Sequence, residues 1–569
     1  MKKGSFKSKL YTYIPITQWL PNYNIAFFKW DLIAGFTLAS FVLPESMAYA
    51  TLAGIPSYYG IYSCLVACFC FAFFTTSRHI AVGPTAAISL MIGSTVAVLS
   101  GGDSQKWTAI VSLTTLVVAC LCFIAFILKF SPLVNFISDN ILMGFKAGAA
   151  LIVISTQLPK LFGLQDRGSN FFERIAYLLT HLPETNWFAI TFTGVSMALL
   201  IIGNKIFPRK PFSFVLVIAS ILVITFTQLS TYGIRIIGKI PFGLPPLTRP
   251  SLEFHDIEGV LELGFACFIM GYIETVSVAR TFALKNNYKV HPSQEMLSMG
   301  IANLFSSFFS GYVVSGGLSQ STVNENSGAK TPLSLIICST TLVFIILYLT
   351  DMLKNLPELT LAIILLYAVA GLIKIKELKH VYELSKVEFS IAMIAFGGVL
   401  VFGILKGVML AVIISLLLLI RRFSKPNVAL LGRIGNTTHY SDLERHPDNV
   451  AIVGIMIIRI ESSILYFNAE NIHQKITKNR SEHKGKLKMI ILDLSASPYV
   501  DVSGSKMLLQ LSLELNKKGI KLKIVEAISV VRDLLRKQGM EDVIGHISRS
   551  VSIDDVINEF EKSKNQSKK

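Results

Sequence analysis

Between residues 31 and 422 the chain alternates long apolar runs with short polar connectors. About fourteen of these runs can cross or half-cross a hydrocarbon core of ~30 Å, for which ~20 helical residues are needed. Their centres lie near Phe41, Ala67, Leu90, Val118, Ala149, Met197, Val217, Phe268, Leu304, Val323, Ile345, Ile364, Ala395 and Ser415. The pattern predicts an α-helical polytopic membrane protein. After Arg421, Arg422 and the breaker Pro426 the pattern changes. Strand-like apolar runs at 450–460, 489–494 and 522–525 then alternate with helix-like patterns at 504–517, 530–538 and 553–561. That alternation predicts a small sheet flanked by helices. The expected organisation is therefore a tail over 1–30, a membrane domain over 31–423, a linker over 424–435, and an α/β domain with its C-terminal tail over 436–569.

Composition agrees with the pattern. With 52% hydrophobic and only 16% charged residues, the chain does not fit a set of soluble domains, and disorder, collagen and coiled coil are excluded. Seven cysteines, all in apolar runs, are too few and odd in number for a disulfide scaffold, and they read as small core side chains. The net charge of +17 sits largely in short loops between apolar runs, not on a polar face among aromatics, which argues against nucleic acid as a partner. Counted from an inside start, Arg78, Lys129, Arg209, Lys210, Arg280, Lys285, Lys289, Lys330, Lys374, Lys376, Lys379, Arg421 and Arg422 all fall on the cytoplasmic side. The N-terminal MKKGSFKSK has no apolar stretch with a cleavage site after it and reads as a cytoplasmic tail. An even number of crossings returns the C-terminus to the same side.

Two membrane segments carry Gly, Pro, Ser and Thr where an unbroken helix would carry Leu: SRHIAVGPTAAISLM (77–91) and the stretch from Ser310 to Thr331. Unpaired backbone at membrane depth is tolerated only where it is buried in protein or lines a cavity, so both breaks mark a site. They are the third member of each group of seven, as an inverted repeat with half-helix starts at the midplane requires. Helix N-termini offer free N–H groups and partial positive charge, so an anion is the natural ligand. The alternative for either break alone is close packing by small residues between helices.

Ionisable side chains deep in the spans are few. Glu45 and Glu274 occupy the first and eighth segments, again equivalent places in two halves, and a carboxylate at that depth marks an ion or proton path unless a backbone group satisfies it as a neutral acid. Asp139 and Lys146, nearer a segment start, are expected to be interfacial or structural. No Ser/His/Asp, metal-ligand or Walker-type constellation is visible, so neither enzyme, metal nor cofactor is expected.

The runs DLIAGFTLASFVLPESMAYATLAGIPSYYGIY, TSRHIAVGPTAAISLMIG, GFKAGAALIVISTQLPKLFG and SQEMLSMGIANLFSSFFSGYVVSGGLSQSTVNENSGAKT resemble the SulP (sulfate permease) family of anion transporters, and DLSASPYVDVSGSKML resembles the signature loop of a STAS domain. The resemblance implies a seven-plus-seven inverted repeat split into a mobile core and a gate. It further implies an elevator motion, a homodimer and a cytoplasmic STAS domain open to a soluble partner. Carried over onto this chain, the family's pocket falls on Thr85, Ala86, Gly317, Leu318 and Ser319, with Glu45 and Tyr49 from the first segment. Many members have Gln where this chain has Glu45, and Arg where it has Gln320. The short STAS tail is similar to that of bacterial members, which implies a bacterial inner membrane.

Two helix dipoles supply about +1, so a bound sulfate is under-compensated, and ionised acids widen the gap. Burial and a nearby anion both favour the neutral form of a carboxyl. The expectation is proton-coupled sulfate uptake with Glu45 or Glu274 as proton carrier. A sodium ion held by Glu274 with Thr275 or Ser277, driving bicarbonate or dicarboxylate uptake, is the alternative, beside an uncoupled exchanger or channel and a sensor whose transport is vestigial. Ser503 aligns with the serine phosphorylated in soluble STAS relatives and is a candidate regulatory site, unless Asp501 or Ser503 simply caps the next helix.

Overall fold

The computed structural model describes residues 13–100, 103–130, 139–164, 168, 170–207, 212–227, 229–250, 257–483 and 485–566. The lysine-rich start of the N-terminal tail, together with Arg209 and Lys210, lies outside these residues. Internal contacts divide the chain into two units, Met1–Ser415 and Leu416–Lys569.

All fourteen expected centres fall inside helices. These are α1 (Phe28–Leu52), α2 (Tyr58–Phe74), α3 (Ala86–Leu99), α4 (Ser104–Ile127), α5 (Asp139–Leu161), α6 (Trp187–Ile206) and α7 (Phe212–Phe226). The second seven are α8 (Ile257–Lys285), α9 (Pro292–Phe308), α10 (Leu318–Asn326), α11 (Leu333–Tyr348), α12 (Glu358–Ala370), α13 (Lys386–Phe402) and α14 (Ile404–Ser424). Helices α3 and α10, of 14 and 9 residues, are too short for a full crossing, and each is preceded by a short strand. Strand β1 (Ala81–Gly83) pairs antiparallel with β2 (Ser315–Gly317), in the register Ala81 to Gly317 and Gly83 to Ser315.

The helices sort into two packed groups. One combines α1–α4 with α8–α11, and the other combines α5–α7 with α12 and α13; the groups meet where α1 touches α7 and α12 and where α3 touches α5. The first group draws positions one to four from both sevens, and the second draws five and six from both, with α7 besides. Apolar side chains gain little by leaving lipid for a helix neighbour, so close backbone approach does much of the holding. Gly60 lets α2 rest on the Ser46 carbonyl of α1, and Gly144 lets α5 rest on the Ala392 carbonyl of α13; a Cβ at either glycine would run into that oxygen.

The second unit is an α/β sandwich. Its strands are β3 (Val428–Arg433), β4 (Tyr440–Asp442), β5 (Ile455–Ile460), β6 (Met489–Asp493) and β7 (Lys521–Val525), in sheet order β4-β3-β5-β6-β7. The β5, β6 and β7 neighbours are parallel, whereas β3 runs antiparallel to β4 and β5. Helices α15 (Ala469–Glu482), α16 (Val502–Lys517) and α17 (Ser529–Lys537) cover one face through Ile472, Leu508, Leu511 and Leu535, packed on Ile458, Ile490 and Leu492. Helix α18 (Ile553–Gln566) covers the other through Val556 and Ile557, packed on Ile457 and Ile491. With both faces covered, β5 and β6 are apolar except for the paired Arg459 and Asp493, which is why they read as apolar runs.

Three expectations need correction here. Strand β3 lies inside the segment expected to be linker, so the sheet begins at Val428 and not near 436. The strand expected over 450–460 begins at Ile455; Val450 makes only an isolated bridge to Arg433. Helix α15 was not predicted, because AENIHQKITKNRSE buries only Ala469, Ile472 and Ile476 and its polar excess hides that stripe.

Candidate functional site

The two chain breaks are built by side chains that take over backbone pairing. Ser321 Oγ accepts from Ala81 N (2.9 Å), Asn303 closes a two-way pair with Val314, and Thr275 Oγ1 accepts from Gly316 N (2.8 Å) while donating to the Gly271 carbonyl. Gln320 Nε2 donates to the Pro84 carbonyl (3.2 Å), joining the second break to the first. Extended backbone thus persists at membrane depth because polar side chains satisfy it. Gly316 is required by space: a Cβ there would lie 2.6 Å from Ile80 Cδ1 and 2.9 Å from Thr275 Cα.

Neither half-helix start is capped by a side chain. Thr85 precedes α3 and Gly317 precedes α10 in extended conformation, and neither makes a side-chain capping bond. The first-turn N–H groups of both helices therefore remain without helical acceptors. Both starts line one cavity of about 390 Å³, within the usual range for small-ligand sites, about 300–1,000 Å³. Tyr49, Thr85, Ala86, Gly317, Leu318, Ser319 and Gln320, all named from the sequence, lie on its wall, and so does Glu274.

Glu45 stands one layer behind that wall, buried, with Oε1 accepting from Tyr49 Oη (3.0 Å) and Ser319 Oγ (2.8 Å). Its Oε2 is buried with no hydrogen-bond partner. Glu274 Oε2 accepts from Thr85 Oγ1 and Ser315 Oγ, each at 3.1 Å. The acid of the first seven helices thus serves the break in the second, and the acid of the second serves both breaks.

Lys146 is the main residue that sequence reasoning misplaced. Expected to be interfacial or structural, it lies instead on the wall of the cavity that Glu274 also lines. The available signal was its isolation, since it is the one charged residue between Asp139 and Lys160. It comes from α5, in the group opposite to the one carrying Glu45, Glu274, Thr85 and Ser319. Ser315 was missed as well, although it lies within the interrupted run. The side chain of Asp139 lies outside what the structure describes.

In the second unit, Asp501 caps α16, its Oδ1 accepting from Gly504 N (2.7 Å) and its Oδ2 from Tyr466 N (2.7 Å). Ser503 takes no part in the cap and is exposed in the first turn. Gly504 is needed because a Cβ would lie 2.7 Å from the Ile464 carbonyl.

Comparison with known proteins matches residues 28–395 to the model of the Sulfate permease family and residues 446–552 to that of the STAS domain. Sulfate transporter 3.1 of Arabidopsis thaliana is 30% identical over 557 residues, covering 94% of this chain and 84% of that protein. Among solved structures, the murine Solute Carrier 26 family member A9 anion transporter in the inward-facing state superposes with a TM-score of 0.90 at 22% identity, covering 98% of this chain and 95% of the other. The transmembrane domain of a cyanobacterium bicarbonate transporter, BicA, gives 0.60 at 20% identity over 69% of this chain and 98% of the other. At these identities the likeness establishes the fold alone: the murine structure matches the helical membrane domain and the sheet domain after it, and the cyanobacterial one the membrane domain.

Proposed function

The chain belongs to the sulfate permease family and is a multi-pass membrane protein of that anion-transporting family, and from this premise we propose that it takes up sulfate together with protons. One observation carries the coupling: two carboxyl groups, Glu45 and Glu274, are hydrogen-bonded to the hydroxyls that frame two uncapped helix starts. An anion drawn to those starts meets Glu274 on the wall, and Glu45 through Ser319 and Tyr49.

Charge counting supports protons as the coupling ion. The two helix starts contribute about +1 together, and Lys146 adds one more. Ionised Glu45 and Glu274 subtract two, leaving about zero. A sulfate then enters a neutral site, and protonating both acids compensates its two charges. A neutral Glu274, on the wall, also becomes a donor to the anion. Sodium is the less favoured alternative, because Thr275 Oγ1, one of its candidate ligands, is already engaged by Gly316 N and the Gly271 carbonyl.

The division into two helix groups, with the binding groups on one and Lys146 on the other, supports transport by an elevator motion. A homodimer in a bacterial inner membrane with both termini cytoplasmic belongs to the same reading and rests on family resemblance and on the loop cations. Exposure of Ser503 at a helix start supports a regulatory phosphosite there, tested by asking whether Ser503→Asp changes transport or partner binding.

The decisive experiment is initial-rate uptake of radiolabelled sulfate into proteoliposomes, with and without an inward proton gradient at fixed low sodium. Accumulation that requires the gradient supports the proposal. If Glu45→Gln and Glu274→Gln both keep full gradient-driven accumulation, proton coupling through these acids is wrong, and exchanging proton for sodium gradients tests the alternative with bicarbonate or a dicarboxylate.

A further inference from the structure

A second concave site lies away from the transport cavity. It has a volume of about 370 Å³ and is walled by the N-terminal segment (Trp19, Tyr23, Phe27), by the residues entering β1 (Thr75, Thr76, Arg78), by the α8–α9 connection (Lys289, His291) and by the turn after α10 (Lys330, Thr331). Arg78, Lys289, Lys330 and His291 face it, and among the described residues no carboxylate is on its wall. The two nearest buried acids are already committed. Asp31 accepts from Lys330 N (2.6 Å), Thr331 N (3.0 Å), Thr331 Oγ1 and Tyr23 Oη, whereas Glu295 accepts from Thr76 N, Thr76 Oγ1 and Thr75 Oγ1. These bonds come from backbone and hydroxyl donors, not from the side chains of Arg78, Lys289 or Lys330. Trp19 Nε1, at the same wall, is buried with no acceptor.

The inside bias of Lys and Arg explains why cations gather at one end of a membrane protein. It does not explain why those of three separate connections converge on one concavity with an unpartnered indole N–H. The same N-terminal segment carries exposed apolar side chains, with Ile25 85% and Leu20 51% exposed beside Phe28 and Trp30. Aromatic and apolar residues beside a basic pocket are the features that hold a lipid at the membrane boundary, its chains outside and its headgroup within.

We propose that this pocket binds the phosphate headgroup of an anionic phospholipid. The headgroup would clamp the N-terminal segment to the connections flanking both interrupted hairpins, since Arg78 leads into β1 and Lys330 follows α10. The site is independent of the anion cavity, so its test does not rest on transport.

The test compares thermal unfolding of the full chain in phosphatidylcholine liposomes with and without phosphatidylglycerol. Phosphatidylglycerol is expected to raise the Tm of the wild type. The Arg78→Gln/Lys289→Gln/Lys330→Gln variant should lose that rise, and the charge control Lys376→Gln/Lys379→Gln should keep it. An equal rise in the triple variant overturns the proposal. If inorganic phosphate added to phosphatidylcholine liposomes reproduces the whole rise, the occupant is free phosphate and the lipid assignment fails. Should the triple variant not fold, native mass spectrometry decides with the single variants. Reduced phosphatidylglycerol occupancy in Lys289→Gln and Lys330→Gln supports the site, and unchanged occupancy overturns it.

Discussion

Glu45 Oε1 and Ser319 Oγ, 274 residues apart in sequence, are joined by a 2.8 Å hydrogen bond, and the other carboxyl oxygen of Glu45 is buried without a partner. An ionised carboxylate with an unsatisfied oxygen in a buried setting is costly, and a proton on that oxygen removes most of the cost. In Glu45→Gln the amide oxygen keeps the Ser319 contact but the group no longer titrates. The expected outcome is retained sulfate binding with loss of accumulation driven by a proton gradient, measured as sulfate exchange against net uptake in proteoliposomes.

Lys146 lies on the cavity wall, in the helix group opposite to Glu274. Its removal in Lys146→Met should weaken attraction for a divalent anion in the state where the groups adjoin. We expect KM for sulfate to rise about tenfold, which corresponds to ~1.4 kcal/mol, with Lys146→Arg restoring most of the affinity. A monovalent anion should be affected less. Equal KM values for Lys146→Met and wild type would remove Lys146 from the site.

Gly316 and Gly317 are neighbours with different surroundings. A Cβ at 316 meets Thr275 Cα, part of a packed helix, whereas the nearest atoms to a Cβ at 317 belong to the flexible Gln320 side chain, from 3.1 Å. Gly316→Ala should cost about 1–3 kcal/mol, the usual range for overpacking, and abolish transport. Gly317→Ala should fold normally. Thermal unfolding in detergent beside uptake assays reads both.

In the sheet domain, Arg459 Nε donates to Asp493 Oδ2 at 2.6 Å between adjacent strands, and Asp493 is buried. Removing one partner of such a pair leaves the other uncompensated, at about 3–5 kcal/mol. Arg459 is part-exposed, so Arg459→Met should fall at the lower end of that range. Hydrogen exchange of the β6 amides in the full chain measures the loss.

Acid should loosen the same domain at its C-terminal side. Glu541 accepts from Ile547 N (2.8 Å) and Arg536 Nε (3.0 Å), and these bonds hold its carboxyl below the ordinary glutamate value. A lowered folded-state value stabilises above the unfolded value of about 4.3, and that stabilisation fades as pH falls through the folded one. Local protection around Ile547 should therefore decline below about pH 4.3 in the wild type. Glu541→Gln should flatten that dependence, as read by hydrogen exchange against pH.

The sequence by itself determined the membrane class, the fourteen helical segments, the two interruptions and the presence of a sheet domain after Arg422. Each is set by local composition: apolar length for crossings, Gly, Pro and Ser for breaks, and alternating runs for the α/β unit. Only tertiary structure decided which residues share the cavity. Lys146 reaches it because α5 meets α3 across the two helix groups, and nothing in the run GFKAGAAL specifies that neighbour. The crossed pairing of Glu45 with Ser319 and of Glu274 with Thr85 likewise depends on the antiparallel meeting of β1 and β2; extended runs at 79–82 and 312–314 are legible in the sequence, the second ending just before β2, but which strand each pairs with is not. Strand β3 and helix α15 were hidden for a related reason. Their burial is provided by partners distant in the chain, and periodicity reports only what a segment does on its own.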